Sequence, residues 1–167
     1  MNTPKVQQMQ QLVEQELLAS YDALYRLAFT YVKNESDAMD IVQESAYKAI
    51  RSAASVRNKA FIKTWLWRIV INTSMEFLRE KQREISCDVM QEYGKEDIYL
   101  DFDTIEALDI LNEKERAAVV LRYFEERKLQ EIADTLDETL SATKSLLYRS
   151  LKKMKIKLTE GEFCHES

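Results

Sequence analysis

The run FIKTWLWRIVINTSMEFLREKQR, residues 61–83, sets Trp65 and Trp67 among Lys63, Arg68, Asn72 and Arg79. Rings that stack on bases, interleaved with cations that meet a backbone, are what single-stranded nucleic acid needs, at about 1 to 3 kcal/mol per stacked base. Residues two apart on a helix point in different directions, so both indoles cannot enter one core. Either one lies on an outer face with the cations, or one packs in a bundle and the other against the preceding loop.

A second basic stretch, residues 140–157, holds six cations and no anion. It follows a short amphipathic segment after a break of three or four residues, the arrangement of a helix-turn-helix. In that motif the N-terminal residues of the second helix meet base edges, which assigns Ser141, Lys144, Ser145 and Tyr148 to the groove. Arg149, Lys152, Lys153 and Lys155 then lie near phosphates, where each neutralised charge releases counterions. Taken alone the pattern is weak, because packing produces amphipathic pairs and a charge run is often only a solvated face.

Other chemistry finds little support. Cys87 and Cys164 are far apart, and the single histidine, His165, adjoins the second in the C-terminal tail. A zinc site needs about four ligands at short paired spacings, and a Cys/His couple needs a third group to orient it. With no metal set, phosphate loop or triad to assemble, neither an enzyme, a cofactor nor a small-molecule substrate is expected.

The 167 residues carry a net charge of -5, yet residues 51–83 and 140–157 each sum to +6, leaving -17 for the rest. Polyanion binding needs local positive surface rather than a high overall pI, so the acidic balance does not exclude it. A hydrophobic content of 46% supports packed cores, and only two Gly and one Pro, Pro4, interrupt the chain. The expected class is therefore all-α. No apolar run of about 18 residues and no signal-type apolar start is seen, which predicts a cytoplasmic protein.

Helical periodicity places the elements. Leu17, Tyr21, Leu24, Ala28 and Tyr31 recur in steps of four and three, predicting a helix over 12–33. Ser36 or Asp37 is placed to cap a second helix, 37–52, with Ala38, Ile41, Val42, Ala46, Ala49 and Ile50 inward and Asp40, Gln43, Glu44 and Tyr47 on a polar, mostly acidic outer ridge. After a loop at 55–59, a third helix, 60–83, buries Ile62, Leu66, Ile69, Val70, Thr73 and Phe77. Residues 84–103 hold seven acidic residues, one basic and Gly94, which marks a linker. Beyond it, Phe102, Ile105, Leu108 and Leu111 suggest a helix, and Asn112 with Glu115 forms a capping-box pattern before inward Ala117, Val120, Leu121 and Phe124. Leu129, Ile132, Ala133 and Leu136 follow at i, i+3, i+4, i+7. A last helix, 140–158, buries Thr143, Leu147, Leu151, Met154 and Leu158.

These residues together resemble a known family. The segments LYRLAFTYVKNESDAMDIVQESAYKAIRS, FIKTWLWRIVINTSMEFLREKQR and LNEKERAAVVLRYFEERKLQEIADTL, followed by ATKSLLYRSLKKMKIKL, resemble an extracytoplasmic-function (group IV) sigma factor of bacterial RNA polymerase, from about Leu24 to Leu158. The resemblance implies a region 2 domain over 1–83, an acidic linker over 84–103 and a region 4 domain over 104–167. It implies that Asp40, Gln43, Glu44 and Tyr47 grip the clamp helices of the largest polymerase subunit. Arg57, Asn58, Lys63, Trp65, Arg68 and Asn72 would open the -10 element and read a flipped non-template base. Ser141, Lys144, Ser145, Tyr148, Arg149, Lys152 and Lys153 would read the -35 element in a domain that also docks on the polymerase flap.

The implied function is an alternative sigma factor, cytoplasmic and nucleoid-associated when active. A membrane-associated anti-sigma factor would hold it inactive until a stress signal releases it. Its partners would then be core RNA polymerase, promoter DNA and that anti-sigma factor. The rival is a sigma-like decoy that occupies an anti-sigma factor without binding DNA; both basic islands and the lack of room for a receiver domain speak against it. A stand-alone helix-turn-helix repressor leaves DAMDIVQES and the tryptophan helix unexplained. Four positions depart from the family pattern, one of them Thr143, which stands at a usually aliphatic core position. Asp137 stands in a turn that usually holds glycine; Glu138 stands where an apolar residue is usual, a slot Leu140 would fill instead; Leu146 replaces a frequent arginine and would offer an apolar contact to a thymine methyl. Thr139 is suited to cap the last helix.

Overall fold

The computed structural model describes residues 4–84 and 102–165, and among these the side chains of 4–84 and 104–157. Most of the acidic stretch 84–103, with Cys87 and Gly94, and the side chains of Phe102, Leu158, Cys164 and His165 lie outside that description. All regular structure among the described residues is helical. The chain divides into two compact units, Met1–Lys95 and Glu96–Ser167.

In the first unit α1 (Pro4–Val32), α2 (Glu35–Arg51) and α3 (Ile62–Glu84) pack on one another as a three-helix bundle. α1 begins well before residue 12 because nothing after Pro4 breaks it, and proline is tolerated in a first helical turn. Val13, Leu17, Leu24, Leu27, Ala28 and Tyr31 line its buried face, while Tyr21, expected inward, is exposed. Only Lys33 and Asn34 separate α1 from α2, and Lys33 adopts the left-handed conformation that reverses the chain. The cap of α2 is Asn34 rather than Ser36 or Asp37, its Oδ1 accepting the Asp37 N–H at 3.0 Å. Asp37 is thereby turned toward α3, where Lys81 donates to it at 2.6 Å.

The core of the bundle takes Ala38, Ile41, Val42 and Ala49 from α2, as the spacing predicts, and adds Ser45, while Ala46 and Ile50 are only half-buried. From α3 come Ile62, Leu66, Val70 and Thr73, joined by Trp67, Ile71 and Ser74; Ile69 and Phe77 sit at the rim. Instead of one loop over 55–59, the α2–α3 connection holds two single 3-10 turns, Ala53–Ser55 and Lys59–Phe61.

The second unit comprises α4 (Phe102–Leu108), α5 (Glu113–Val119), α6 (Leu129–Leu136) and α7 (Leu140–His165). The capping box at the start of α5 is present, Glu115 donating its N–H to Asn112 Oδ1 at 2.9 Å and accepting the Asn112 N–H at 3.0 Å. α5 runs on into a π turn, Val120–Phe124, whose Val120 and Leu121 are buried and whose Phe124 is half-buried. Ala117, Ile132, Ala133, Leu136 and Leu108 join them, and both α5 and α6 pack on α7.

Candidate nucleic-acid and partner interfaces

The turn Asp137-Glu138-Thr139 sets the angle between α6 and α7. Asp137 lies at φ 55, ψ 47 and closes α6 in a Schellman arrangement, with the Glu138 N–H reaching Ala133 O at 2.9 Å. Glycine takes this conformation without strain; among other residues a short polar side chain tolerates it best. Glu138 fills no apolar slot: its carboxylate accepts an ion pair from Lys114 of α5 at 2.5 Å, and Leu140 is exposed rather than substituting for it. Thr139 caps α7, its Oγ1 accepting the Ala142 N–H at 3.0 Å.

The buried stripe of α7 is Thr143, Leu146, Leu147, Ser150 and Met154. It runs i, i+3, i+4, i+7, i+11 rather than through Leu151, so the helix is rotated from the sequence expectation. Leu146 is 8% exposed and Leu151 39%. The expected thymine-methyl contact by Leu146 is therefore excluded by packing; the aliphatic residues that α7 exposes are Leu140, Leu151 and Ile156. Ser141, Lys144, Ser145, Tyr148, Arg149, Lys152 and Lys153 are all on exposed positions of α7, Tyr148 at 71%. The hydroxyls, phenol and cations assigned to a groove therefore share the solvent side of one helix.

Lys153 differs from its neighbours in having a buried partner. Its ammonium donates to both carboxylate oxygens of Glu115 at 2.9 Å, and Glu115 is 2% exposed. Burial pushes the Glu115 carboxyl up, but the Asn112 backbone N–H, Lys153 and the nearby charge of Arg149 outweigh it and hold it below its ordinary value. The two residues lie 38 positions apart in the chain, and no sequence spacing announces the pair.

In the first unit the tryptophans part company. Trp67 is 1% exposed and belongs to the core, whereas Trp65 is half-buried at the bundle surface. Arg68 and Asn72 are exposed one and two turns beyond Trp65, and Lys63 is half-buried beside a groove of about 400 Å³ that also meets Lys59 and, from α1, Leu12, Glu16 and Ala19. Arg57 and Asn58 are exposed in the connection before α3. Asn58 is partly committed, since its side-chain oxygen accepts the Ala60 N–H at 3.0 Å and caps the second 3-10 turn.

Asp40, Gln43, Glu44 and Tyr47 form an exposed ridge on α2. Asp40 and Glu44 also border a groove of about 240 Å³ between α2 and α3, whose far wall is Glu76 and Glu80. Lys48 spans the groove, donating to Glu76 at 2.8 Å and to Thr73 at 3.3 Å. Sequence reasoning missed Glu76 and Glu80; their i, i+4 spacing on α3 was the available signal. Four carboxylates against one bridging lysine suit a cationic partner surface.

Among the described residues no three His, Cys, Asp or Glu are gathered to hold a metal ion, and no helix is long and apolar enough to cross a membrane.

The sigma-70 region 2 family matches residues 17–84 and the sigma-70 region 4 family residues 107–155. RNA polymerase sigma factor SigV of Bacillus subtilis is 46% identical over 142 residues, covering 83% of this chain and 86% of its own length. RNA polymerase sigma-E factor of Streptomyces coelicolor is 28% identical over 150 residues, 87% of this chain and 85% of its length. In fold, the sigma factor RpoE of Bartonella quintana, solved with the anti-sigma factor NepR, superimposes with a TM-score of 0.72 at 24% identity over 87% of this chain and 96% of that one. CnrH, solved with the cytosolic domain of CnrY, gives 0.69 at 19% identity over 89% and 88%. With both sigma-70 regions present in order on an all-helical chain, and a relative this similar along most of its length, the protein belongs to the extracytoplasmic-function sigma factors of the sigma-70 family.

Proposed function

We propose that this protein is an alternative sigma factor that binds core RNA polymerase and directs promoter-specific initiation, its first unit engaging polymerase and the melted -10 element and its second reading the -35 element. The observation that carries this is the occurrence of regions 2 and 4 in one chain, alongside 46% identity to a sigma factor. The acidic ridge Asp40, Gln43, Glu44 and Tyr47, extended by Glu76 and Glu80, is the surface for the polymerase clamp helices. Trp65, with Lys63, Arg68, Asn72, Arg57 and Asn58, is the face for the opened strand. Contacts made only to a melted strand favour the open state over duplex, so initiation needs binding energy and no catalytic group. The exposed side of α7, with Ser141, Lys144, Ser145, Tyr148, Arg149 and Lys152, is the face for duplex DNA.

The partners proposed are core RNA polymerase, through clamp helices and flap, promoter DNA, and an anti-sigma factor that holds the protein at the membrane until a stress signal arrives. Of the fold relatives, RpoE was solved with the anti-sigma factor NepR and CnrH with the cytosolic domain of CnrY. The active protein would be cytoplasmic and bound to the nucleoid. Run-off transcription with core polymerase plus this protein on a genomic library tests the proposal. New start sites are expected; their absence with every core enzyme tried, together with retained anti-sigma binding, would favour the decoy.

A further inference from the structure

Among the cations of α7 that face solvent, Lys153 alone among the described ion pairs reaches a carboxylate that is 2% exposed, its own side chain being 49% exposed. Glu115 occupies the third position of α5, and Asn112 at the cap donates its N–H to the same carboxylate at 3.0 Å. The N-terminal end of a helix carries partial positive charge, which repels an ammonium. Lys153 is therefore held at this end of α5 by Glu115 and not by the helix. Burial pushes the Glu115 carboxyl up, yet the Asn112 N–H, Lys153 and Arg149 together keep it below its ordinary value, so the anion is permanent at neutral pH.

We propose that Glu115 is a built-in counterion occupying the place of a phosphate: it neutralises Lys153, so that Lys153 anchors α7 to α5 and takes no DNA phosphate, leaving that role to Lys152 and Arg149. The inference rests on the reading of α7 as the duplex-binding helix. For a phosphate to capture Lys153, the buried carboxylate would have to lose its cation, which is among the costlier single changes in a fold. A phosphate contact offers only the release of about one condensed counterion, a gain that shrinks as salt rises. The internal anion wins that competition, and Glu115 acts as a positioning residue that fixes which cations of α7 point at DNA.

The salt dependence of binding distinguishes this from a purely structural pair. Anisotropy of a labelled, mixed-sequence DNA duplex titrated with the full chain gives the slope of log K against log salt, and each phosphate contact contributes about 0.9 to it. Lys152→Gln should flatten the slope by about 0.9. Glu115→Gln, which unmasks Lys153, should steepen it by about 0.9 and tighten binding at low salt. The double variant Glu115→Gln/Lys153→Gln, which strands no buried charge and so avoids the folding cost of the single lysine variant, should return the wild-type slope. A double variant as flat as Lys152→Gln, or a Glu115→Gln slope unchanged from wild type, overturns the proposal. If Lys152→Gln itself leaves the slope unchanged, α7 is not the duplex-binding helix, and that reading falls together with the role assigned to Glu115.

Discussion

Lys153 donates to both carboxylate oxygens of Glu115 at 2.9 Å, and the two ends of this pair are unequally wet, 49% against 2% exposed. Lys153 can return its ammonium to water when its partner is lost; Glu115 cannot. Lys153→Met, which strands the anion, should cost about 3 to 5 kcal/mol. Glu115→Gln, whose amide oxygen can still accept the Asn112 N–H, should cost only about 1 to 2 kcal/mol. Urea unfolding followed by far-ultraviolet circular dichroism compares the two, and Lys153→Met proving the milder would contradict the assignment.

The same pair dictates an acid response. The folded-state pKa of Glu115 lies below the ordinary 4.5, so the unfolded carboxyl binds its proton first as pH falls. The stability it contributes is therefore complete above 4.5 and is lost as pH drops through the lower folded value. The stability gap between wild type and Glu115→Gln should narrow over that window, while a gap constant with pH would show the carboxylate to be uninvolved. Thermal melts at neutral pH and below 4.5 supply the comparison.

The proposed faces of the first unit should separate by mutation. Trp65→Ala or Arg68→Ala is expected to reduce open-complex formation about tenfold, given 1 to 3 kcal/mol per stacked base, with a smaller effect on polymerase affinity. Asp40→Arg with Glu44→Arg, placed on the α2 ridge, is expected to weaken polymerase binding first. Permanganate footprinting and a polymerase pull-down read the two activities, and equal losses in both by both variants would refute the division.

Asp137 holds a left-handed conformation that glycine takes without strain. Asp137→Gly should stabilise the second unit by about 0.5 to 1 kcal/mol after the added freedom of the unfolded glycine is counted. That corresponds to a rise in melting temperature of about 4 °C. Asp137→Val, with a β-branched side chain at positive φ, should lower it. A melt in which both variants shift the same way would place the strain elsewhere.

Helix number, order and most inward residues were legible because burial on one side of a helix leaves a period in the sequence. The α5 capping box and the Thr139 cap were legible for a similar reason, since both are local hydrogen bonds. The α2 cap was not, because Asn34, Ser36 and Asp37 all suit the position by residue type, and the pairing of Asp37 with Lys81, 44 residues away, leaves no local signal. Leu146 and Leu151 are both leucines on one helix, and only the packing of α5 and α6 decides which is enclosed. Trp65 and Trp67 posed the same ambiguity on α3. The exposed cations of α7 were foreseen, whereas the capture of Lys153 by Glu115 and the carboxylates Glu76 and Glu80 required helices to be brought side by side.

Both tryptophans of the chain sit on α3, one sealed in the bundle and the other half open at its surface. Indole emission therefore reports on the first unit alone, while among the described residues of the second the exposed tyrosines are Tyr123 and Tyr148. A base stacking on Trp65 would quench one emitter and leave Trp67 as a reference beside it. If Trp65 meets the opened strand as proposed, the protein contains both a probe of strand capture and an internal standard for that signal, with no dye attached.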